Sequence, residues 1–400
     1  MTVKVRRILF ITLTVLFFIA GTGLILYSRG ARFDFKNWDI VQTGGIYLKT
    51  EPSDALIQVN GKPIENRSGL LQSGTLISNL RSGTYKVVVS RENYHSWEKQ
   101  IEVGSSTVSV FDGIILFPQQ KAELVASPTD KFLLELKGET MSDSELAEAT
   151  SLFNQLKERQ LRLPGAVPIN KISPYPYNDR KFIIMTDRAL YALDTEKRVI
   201  SQISPRAKDF TFAGNEVFWF EDKGLFSFNL ILRNQSQINL PGELKIAEFD
   251  EIQLSPSGEI MAILKKNSEL VIWNRSANKV ISFGRGITHF IFSSDSKKIA
   301  FATETGSLSV YGVKDGAQEE KYILEKVSGP WTGIEGISWH EDNNYVFLKD
   351  KDGKLYFVEV NDYPPTNVVE VASRVKNFIY SKDDDSLYFE DNQGVWRIKL

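Results

Sequence analysis

Three histidines, His95, His289 and His340, are the only imidazoles in a chain of 400 residues that has no cysteine. Thiolate catalysis, iron–sulfur ligation, cysteine-held zinc and disulfides are therefore excluded. A Ser-His-Asp triad would have to be built on His289 or His340, and no G-x-S-x-G elbow accompanies either. A histidine metal site needs clustering, which three scattered positions do not supply. Acidic runs at Asp350-Lys351-Asp352-Gly353, Asp383-Asp384-Asp385 and Glu341-Asp342-Asn343-Asn344 suggest calcium. Calcium takes about six to eight oxygens, and none of these runs has the spacing of a complete loop site. The same residue types are what hairpin turns require. Turn chemistry is the preferred reading, with calcium at any one of them left open. Three N-x-S triplets, at Asn66, Asn234 and Asn274, fit the glycosylation sequon, a short pattern that also arises by chance.

Trp219, Trp331 and Trp339 have the chemistry to stack on a sugar or anchor a protein partner. Trp219 sits between Phe218 and Phe220 and reads as core, as does Trp273. Trp331 follows Ser328-Gly329-Pro330 in a loop and is the best candidate for an exposed partner contact. No catalytic, cofactor-binding or metal-binding residue is expected, and no cofactor is implied. Apolar residues make up 42% and charged residues 24%, an ordinary folded composition. The formal net charge is −2 and no long basic run follows the N-terminus, which argues against nucleic acid as a partner.

The elements that must position these residues begin with Ile8 to Tyr27, twenty residues without a charge. Such a helix is about 30 Å long, the thickness of a bilayer core. The rival, a cleaved signal peptide, has an apolar core of only about 7–15 residues. A lipid-modified cysteine anchor is ruled out. The expected topology is a cytoplasmic N-terminus at 1–7, a transmembrane helix at 8–28 and a linker at 29–43. Lys4, Arg6 and Arg7 precede the helix, whereas Arg29, Arg32 and Lys36 follow it. Positive charge therefore orients the helix weakly, but long C-terminal domains translocate with little regard to their own charge. Tyr27, Phe33, Phe35 and Trp38 would form an outer aromatic belt.

From Gly44 to Phe117, short β-rich runs alternate with turn residues, including the hairpin signal Asn60-Gly61 and the pair Ser82-Gly83. This is the pattern of a small antiparallel sandwich. The stretches GGIYLKTEPSDALIQVNGKPI and LRSGTYKVVVSRENYHSWEKQIEV resemble a PEGA domain. Pro52-Ser53-Asp54-Ala55 occupies the family's signature turn, Asn60-Gly61 its hairpin, Gly83-Thr84-Tyr85 its strand entry and Asn93-Tyr94 its usual Gly-Tyr. Ser53-Asp54 in place of Glu-Gly and Asn93 in place of Gly are the departures; asparagine tolerates a left-handed backbone better than any residue but glycine. The resemblance implies a surface-associated accessory module at 44–117 without catalytic residues.

The remainder, 118–400, repeats itself. Copies of a turn–strand–turn–strand unit place apolar strands near Phe182, Val217, Ile260, Ile299, Tyr345 and Leu387, at spacings of 35, 43, 39, 46 and 42 residues. A period near 40 with about four strands per unit is that of β-propeller blades. Ser255-Pro256-Ser257-Gly258 and Ser293-Ser294-Asp295-Ser296 before Ile299-Ala300-Phe301 resemble TolB-like and WD-type repeats, and no copy ends in Trp-Asp. Six copies are clear, a seventh at 126–138 is degenerate, and the last stops after its third strand, so the outer strand would come from the start of the propeller. A helix is expected at about 142–160, opened by a Ser142-x-x-Glu145 capping box, with Leu146, Ala149, Phe153 and Leu156 on one face. It would lie against the propeller wall or serve as a lid or partner helix.

The expected fold is all-β: an N-terminal transmembrane helix, a PEGA-like β-sandwich and a β-propeller. The expected function is that of a non-enzymatic, membrane-anchored extracytoplasmic binding or scaffold protein of the cell envelope. Its propeller would engage a protein or glycan partner. The alternatives are a propeller-type hydrolase of envelope glycan or peptide, which would need carboxylates converging on the channel, and a purely structural surface-layer component.

Overall fold

The computed structural model describes residues 3–28, 30–34, 38–67, 74–127, 143–163, 167–175, 178–187, 189–312, 324–361 and 363–400. The chain is mostly β, with one N-terminal apolar helix and several four-stranded sheets. It divides into two compact units, the first comprising 1–120 with 362–367 and the second 121–361 with 368–400.

In the first unit, helix α1 (Val3–Ser28) runs for 26 residues. Its Val5–Ser28 stretch has a mean hydropathy of 2.5 and is long and apolar enough to cross a membrane. Ile8, Leu9, Phe10 and Ile11, which step around the helix at about 100° each, are all exposed, so among the described residues no protein surface covers this span. A helix apolar on every face needs an apolar surrounding.

Two four-stranded sheets follow. One pairs Asp39–Glu51 with Ala31–Asp34, Thr75–Arg81 and Val108–Ile115; the other runs in the order Lys62–Ile64, Leu56–Val59, Gly83–Ser90, Trp97–Val103. Their facing side chains form one core that includes Ile46, Leu48, Ile57, Val89, Trp97 and Ile101. Burial alternates strictly along Trp97–Val103 around Trp97, Lys99, Ile101 and Val103, the period of a strand with one covered face. Asn60 and Gly61 both have positive φ, 48° and 75°, as a two-residue I′ hairpin requires. Asn93 stands at φ 63°, so the left-handed turn expected there is kept without glycine.

The expected all-antiparallel pairing needs one correction: Val108–Ile115 pairs parallel to Asp39–Glu51, with Gly45 opposite Val108 and Leu48 opposite Phe111. A parallel neighbour needs a long crossover, and here all four strands of the other sheet lie within it. The Lys99 side chain is fully buried, yet its ammonium donates to the carbonyls of Tyr363 (2.7 Å) and Pro365 (2.9 Å). Those acceptors offset the cost of taking the charge out of water.

The second unit holds six four-stranded sheets among the described residues, the first five of them simple meanders. The first five span 169–204, 209–238, 249–282, 287–327 and 334–372. The sixth consists of Asn377–Ser381, Ser386–Glu390 and Val395–Lys399, completed by Glu123–Ala126 from far earlier in the chain. The apolar runs recognised in the sequence are the second strands, such as Ile260–Lys265 and Tyr345–Asp350, and the third strands beside them, such as Leu355–Glu359. These middle strands are buried on both faces, which is why they read as unbroken apolar runs. The last strand departs from simple alternation: Val395 is fully buried while Trp396 is only half-buried. Glu123–Ala126 pairs beside it, and Val125 and Ala126 pack on Val395.

Consecutive sheets share apolar layers. Phe218, Leu225 and Leu254 join the second to the third, Ile272 and Phe301 the third to the fourth, and Val310 and Val346 the fourth to the fifth. Helix α2 (Asp143–Leu161) buries Ala149, Leu152, Phe153 and Leu156 against Ile184, Tyr191 and Ile200 of the first sheet. Gln160 ties its end down, donating to the Arg198 carbonyl at 3.0 Å and accepting from the Ile200 N–H at 3.2 Å. The helix is a packing element on the sheet, and its expected capping residue Ser142 lies outside the described residues, as does the seventh copy beyond Ser127.

Candidate functional site

The first strands of the six sheets begin with one recurring pattern, apolar–polar–x–apolar: Ile169-Asn170-Lys171-Ile172, Ala207-Lys208-Asp209-Phe210, Phe249-Asp250-Glu251-Ile252, Ile287-Thr288-His289-Phe290, Ile334-Glu335-Gly336-Ile337 and Val375-Lys376-Asn377-Phe378. In four of the six, the second position is a bulge skipped by the pairing register: Asn170, Asp250, Thr288 and Glu335. A bulge bends the strand and re-aims its side chains. The third position then carries Lys171, Asp209, Glu251, His289, Gly336 and Asn377 in successive sheets. At this position four ionisable groups are followed by two uncharged residues.

Hydrogen bonds knit the charged part together. The Lys171 ammonium donates to Asp209 Oδ1 at 2.9 Å and to the Phe210 carbonyl at 2.8 Å. Asp209 Oδ2 accepts the backbone N–H of Ile252 at 3.1 Å. One carboxylate therefore bridges the first strands of three sheets. Glu251 is held above the usual carboxyl range by burial and then by the Asp209 carboxylate, with Lys171 opposing. His289 is pushed below the usual imidazole range by burial, with Glu335 opposing. Glu335 itself lies below the usual carboxyl range because Lys349 donates to it at 2.8 Å. Gly336 faces Phe378 so closely that a Cβ would sit 3.1 Å from the ring.

Trp331 lies in the loop that enters the fifth sheet at this same end, but it is half-buried. Its indole N–H donates to the Gly306 carbonyl at 2.7 Å, and its ring meets Tyr356 edge-on at 6.0 Å. The expected free contact is thus a staple between two loops, with only part of its ring at the surface. Trp339 is buried, its N–H given to the Ile291 carbonyl at 3.1 Å, and cannot stack on a sugar. Trp219 and Trp273 are core.

The turns between first and second strands, which carry the repeat motif, link one sheet to the next. Ser296 Oγ accepts the Ser257 N–H at 2.8 Å, and Asn343 Oδ1 accepts the Ser294 N–H at 3.0 Å. His340 holds the position of Ser255 and Ser293. Its Nδ1 lies 3.0 Å from Asp342 Oδ1 and its Nε2 3.5 Å from Asp385 Oδ1, within rings that include Tyr345, Phe347 and Tyr380. That imidazole is a buried strut between two acidic turns. The acidic turns behave as Asx turns: Asp350 Oδ1 accepts the N–H groups of Asp352 (3.0 Å) and Lys354 (2.8 Å), and Asp342 Oδ1 accepts that of Asn344 (3.0 Å). Among the described residues, no group of three or more histidine, aspartate or glutamate side chains is placed to hold a metal ion. His95 sits in the first unit, lowered by burial and 6.4 Å from the Phe117 ring.

Sequence reasoning passed over the first-strand charges because single polar residues inside short, half-polar strands carry no motif. The six-fold pattern was the available signal.

A search of curated proteins returns no match. Among solved structures, a chain from "Crystal Structure of Mitotic Checkpoint Complex" is similar over 60% of this chain and 77% of its own, at 11% identity and a TM-score of 0.44. Within the first unit, where the two-sheet sandwich and the left-handed Asn93 turn lie, residues 43–113 match the PEGA domain.

Proposed function

We propose that this protein is a membrane-anchored, extracytoplasmic binding scaffold of the cell envelope. In this reading α1 is retained in the bilayer, and the PEGA unit serves as a surface-associated module beside it. The six sheets close into a six-bladed, TolB-like propeller. Support for the ring comes from the turn-to-turn bonds between successive sheets and from the sixth sheet, which takes its outer strand from Glu123–Ala126. Closing the meander in this way removes an exposed edge.

The observation that carries a binding role is the first-strand rim, where Lys171, Asp209, Glu251 and His289 lie on one side and Gly336 and Asn377 on the other. Loops and strand ends gathered at one end of a rigid scaffold are where binding residues concentrate. A charged rim favours a protein or glycan partner with its own charge pattern. The test is cross-linking in native membranes, comparing wild type with Glu251→Lys and Glu335→Lys. Loss of one specific cross-linked product in both variants is expected; an unchanged product, or none in the wild type, contradicts the reading.

A hydrolase draws on one observation, the raised Glu251 carboxyl beside Asp209. Such pairs serve as acid and base when their environments separate them. Against it, Asp209 is buried and each of its oxygens already accepts a hydrogen bond, from Lys171 and from the Ile252 N–H, which makes it a structural bridge between strands. Hydrolysis of envelope glycan or peptide that disappears in Glu251→Gln would restore the enzymatic reading.

A further inference from the structure

Away from the first-strand rim, the outer strands of the first two sheets enclose a cleft of about 490 Å³. Leu190–Asp194 and Val199–Ser204 form one wall; Gly224–Asn229 and Gln235–Ile238 form the other. That volume falls within the range of small-ligand sites, roughly 300–1,000 Å³. The lining combines three kinds of surface. Ile203, Phe228 and Leu230 give it apolar patches, while Ser201 and Gln235 bring a hydroxyl and an amide group.

Charge is the third component. Lys181, Lys197 and Arg233 face a single carboxylate, Asp194, an excess of two positive charges (three minus one). Asp194 is already engaged: Oδ1 accepts the Lys197 backbone N–H at 2.8 Å, and Oδ2 lies 3.8 Å from the Lys181 ammonium. Among the described residues the Lys197 ammonium and the Arg233 guanidinium have no ion-pair partner. Arg233 is also held by its turn. It stands at φ 54°, a region side-chain-bearing residues seldom adopt, with its N–H on the Asn229 carbonyl at 2.8 Å. The Asn229 side chain caps the same turn through the N–H groups of Ile231 (3.0 Å) and Leu232 (2.8 Å). The Tyr175 phenol, pushed up to about 12 by burial, with Arg233 opposing and Asp194 adding, stays protonated and can donate a hydrogen bond at the cleft.

We propose that this cleft binds an acidic saccharide, a sugar unit bearing a carboxylate or phosphate. The anion meets Arg233 and Lys197, the hydroxyls meet Ser201 and Gln235, and the C–H face of the ring covers Phe228 and Leu230. A bare oxyanion would occupy a fraction of the volume and leave the apolar patches wet. A purely apolar ligand would desolvate two cations without compensation.

Isothermal titration of the full chain in detergent at low ionic strength, with four probes, tests this. Digalacturonate carries the carboxylate, glucose 6-phosphate the phosphate, maltose neither, and inorganic phosphate the charge alone. At least one acidic sugar is expected to bind about tenfold or more tightly than both maltose and inorganic phosphate, and which one identifies the anion. Arg233→Gln and Lys197→Gln are each expected to weaken that binding about tenfold, which corresponds to about 1.4 kcal/mol. Both side chains are on exposed residues, so circular dichroism should be unchanged. Maltose or inorganic phosphate binding as tightly as the acidic sugars overturns the proposal. So does equal binding by the variants, or no binding of either acidic sugar at about 10 mM, where a site of this kind should be occupied.

Discussion

Replacing Asp209 with alanine should destabilise the second unit more than any other single change at its charged edge. The carboxylate is on a buried residue and makes two distinct contacts, with the Lys171 ammonium at 2.9 Å and the Ile252 N–H at 3.1 Å. Alanine leaves the Ile252 N–H, itself on a buried residue, without its acceptor, a loss of about 1–3 kcal/mol. The Lys171 side chain is 43% exposed and regains water, so the broken ion pair adds only about 0.5–1 kcal/mol. Together the loss is about 1.5–4 kcal/mol. Asparagine keeps one acceptor oxygen and should lose about half as much. Urea unfolding followed by tryptophan fluorescence reads the difference as a shift in midpoint, with the slope unchanged if only stability is altered. Trp219, stacked on Phe226 in the second sheet, reports from nearby. A midpoint for Asp209→Ala equal to wild type, or equal losses for alanine and asparagine, would refute the bridging role.

Other expectations follow from the same contacts. Phe153 is fully buried between α2 and the first sheet, 5.3 Å from the Tyr191 ring, so Phe153→Ala should cost about 3–5 kcal/mol in the same unfolding assay. His289 is lowered in the folded state from an ordinary value of 6.5, so the unfolded chain takes up the proton first. Its contribution to stability is full above about pH 6.5 and falls as the pH drops through that value toward the folded one; His289→Gln should flatten this part of a melting-temperature profile. Trp331→Phe keeps the ring but removes the 2.7 Å bond to Gly306, and a loss of about 0.5–1.5 kcal/mol is expected by urea unfolding. A larger loss of partner cross-linking than of stability in that variant would restore Trp331 as a contact.

The legible parts of the sequence were those where burial is two-sided or a turn demands one residue type. Phe182, Val217, Ile260, Ile299, Tyr345 and Leu387 all fall in second strands, whose two covered faces leave no polar interruption. Asn60-Gly61 and Asn93 announce their backbone conformations by residue type alone. The parallel pairing of Val108–Ile115 was hidden because alternation is the same for either strand direction. The bond from the Trp331 indole N–H to Gly306, 25 residues away, was not legible because loop position says nothing about which carbonyl an N–H finds. Lys171, Asp209 and Glu251 meet only across three strands separated by about 40 residues each, and no local spacing encodes that.

The central claim, an anchored protein displayed outside the membrane, can be tested cleanly because the chain has no cysteine. Glu304→Cys places one thiol on an exposed residue of the second unit. Intact cells expressing it are treated with a membrane-impermeant maleimide, and carbonate-washed membranes are then examined for label. The account predicts full labelling of a band that stays with the membranes at the mass of the uncut chain, with wild type blank. A band labelled only after lysis, or one released from the membranes, would contradict it.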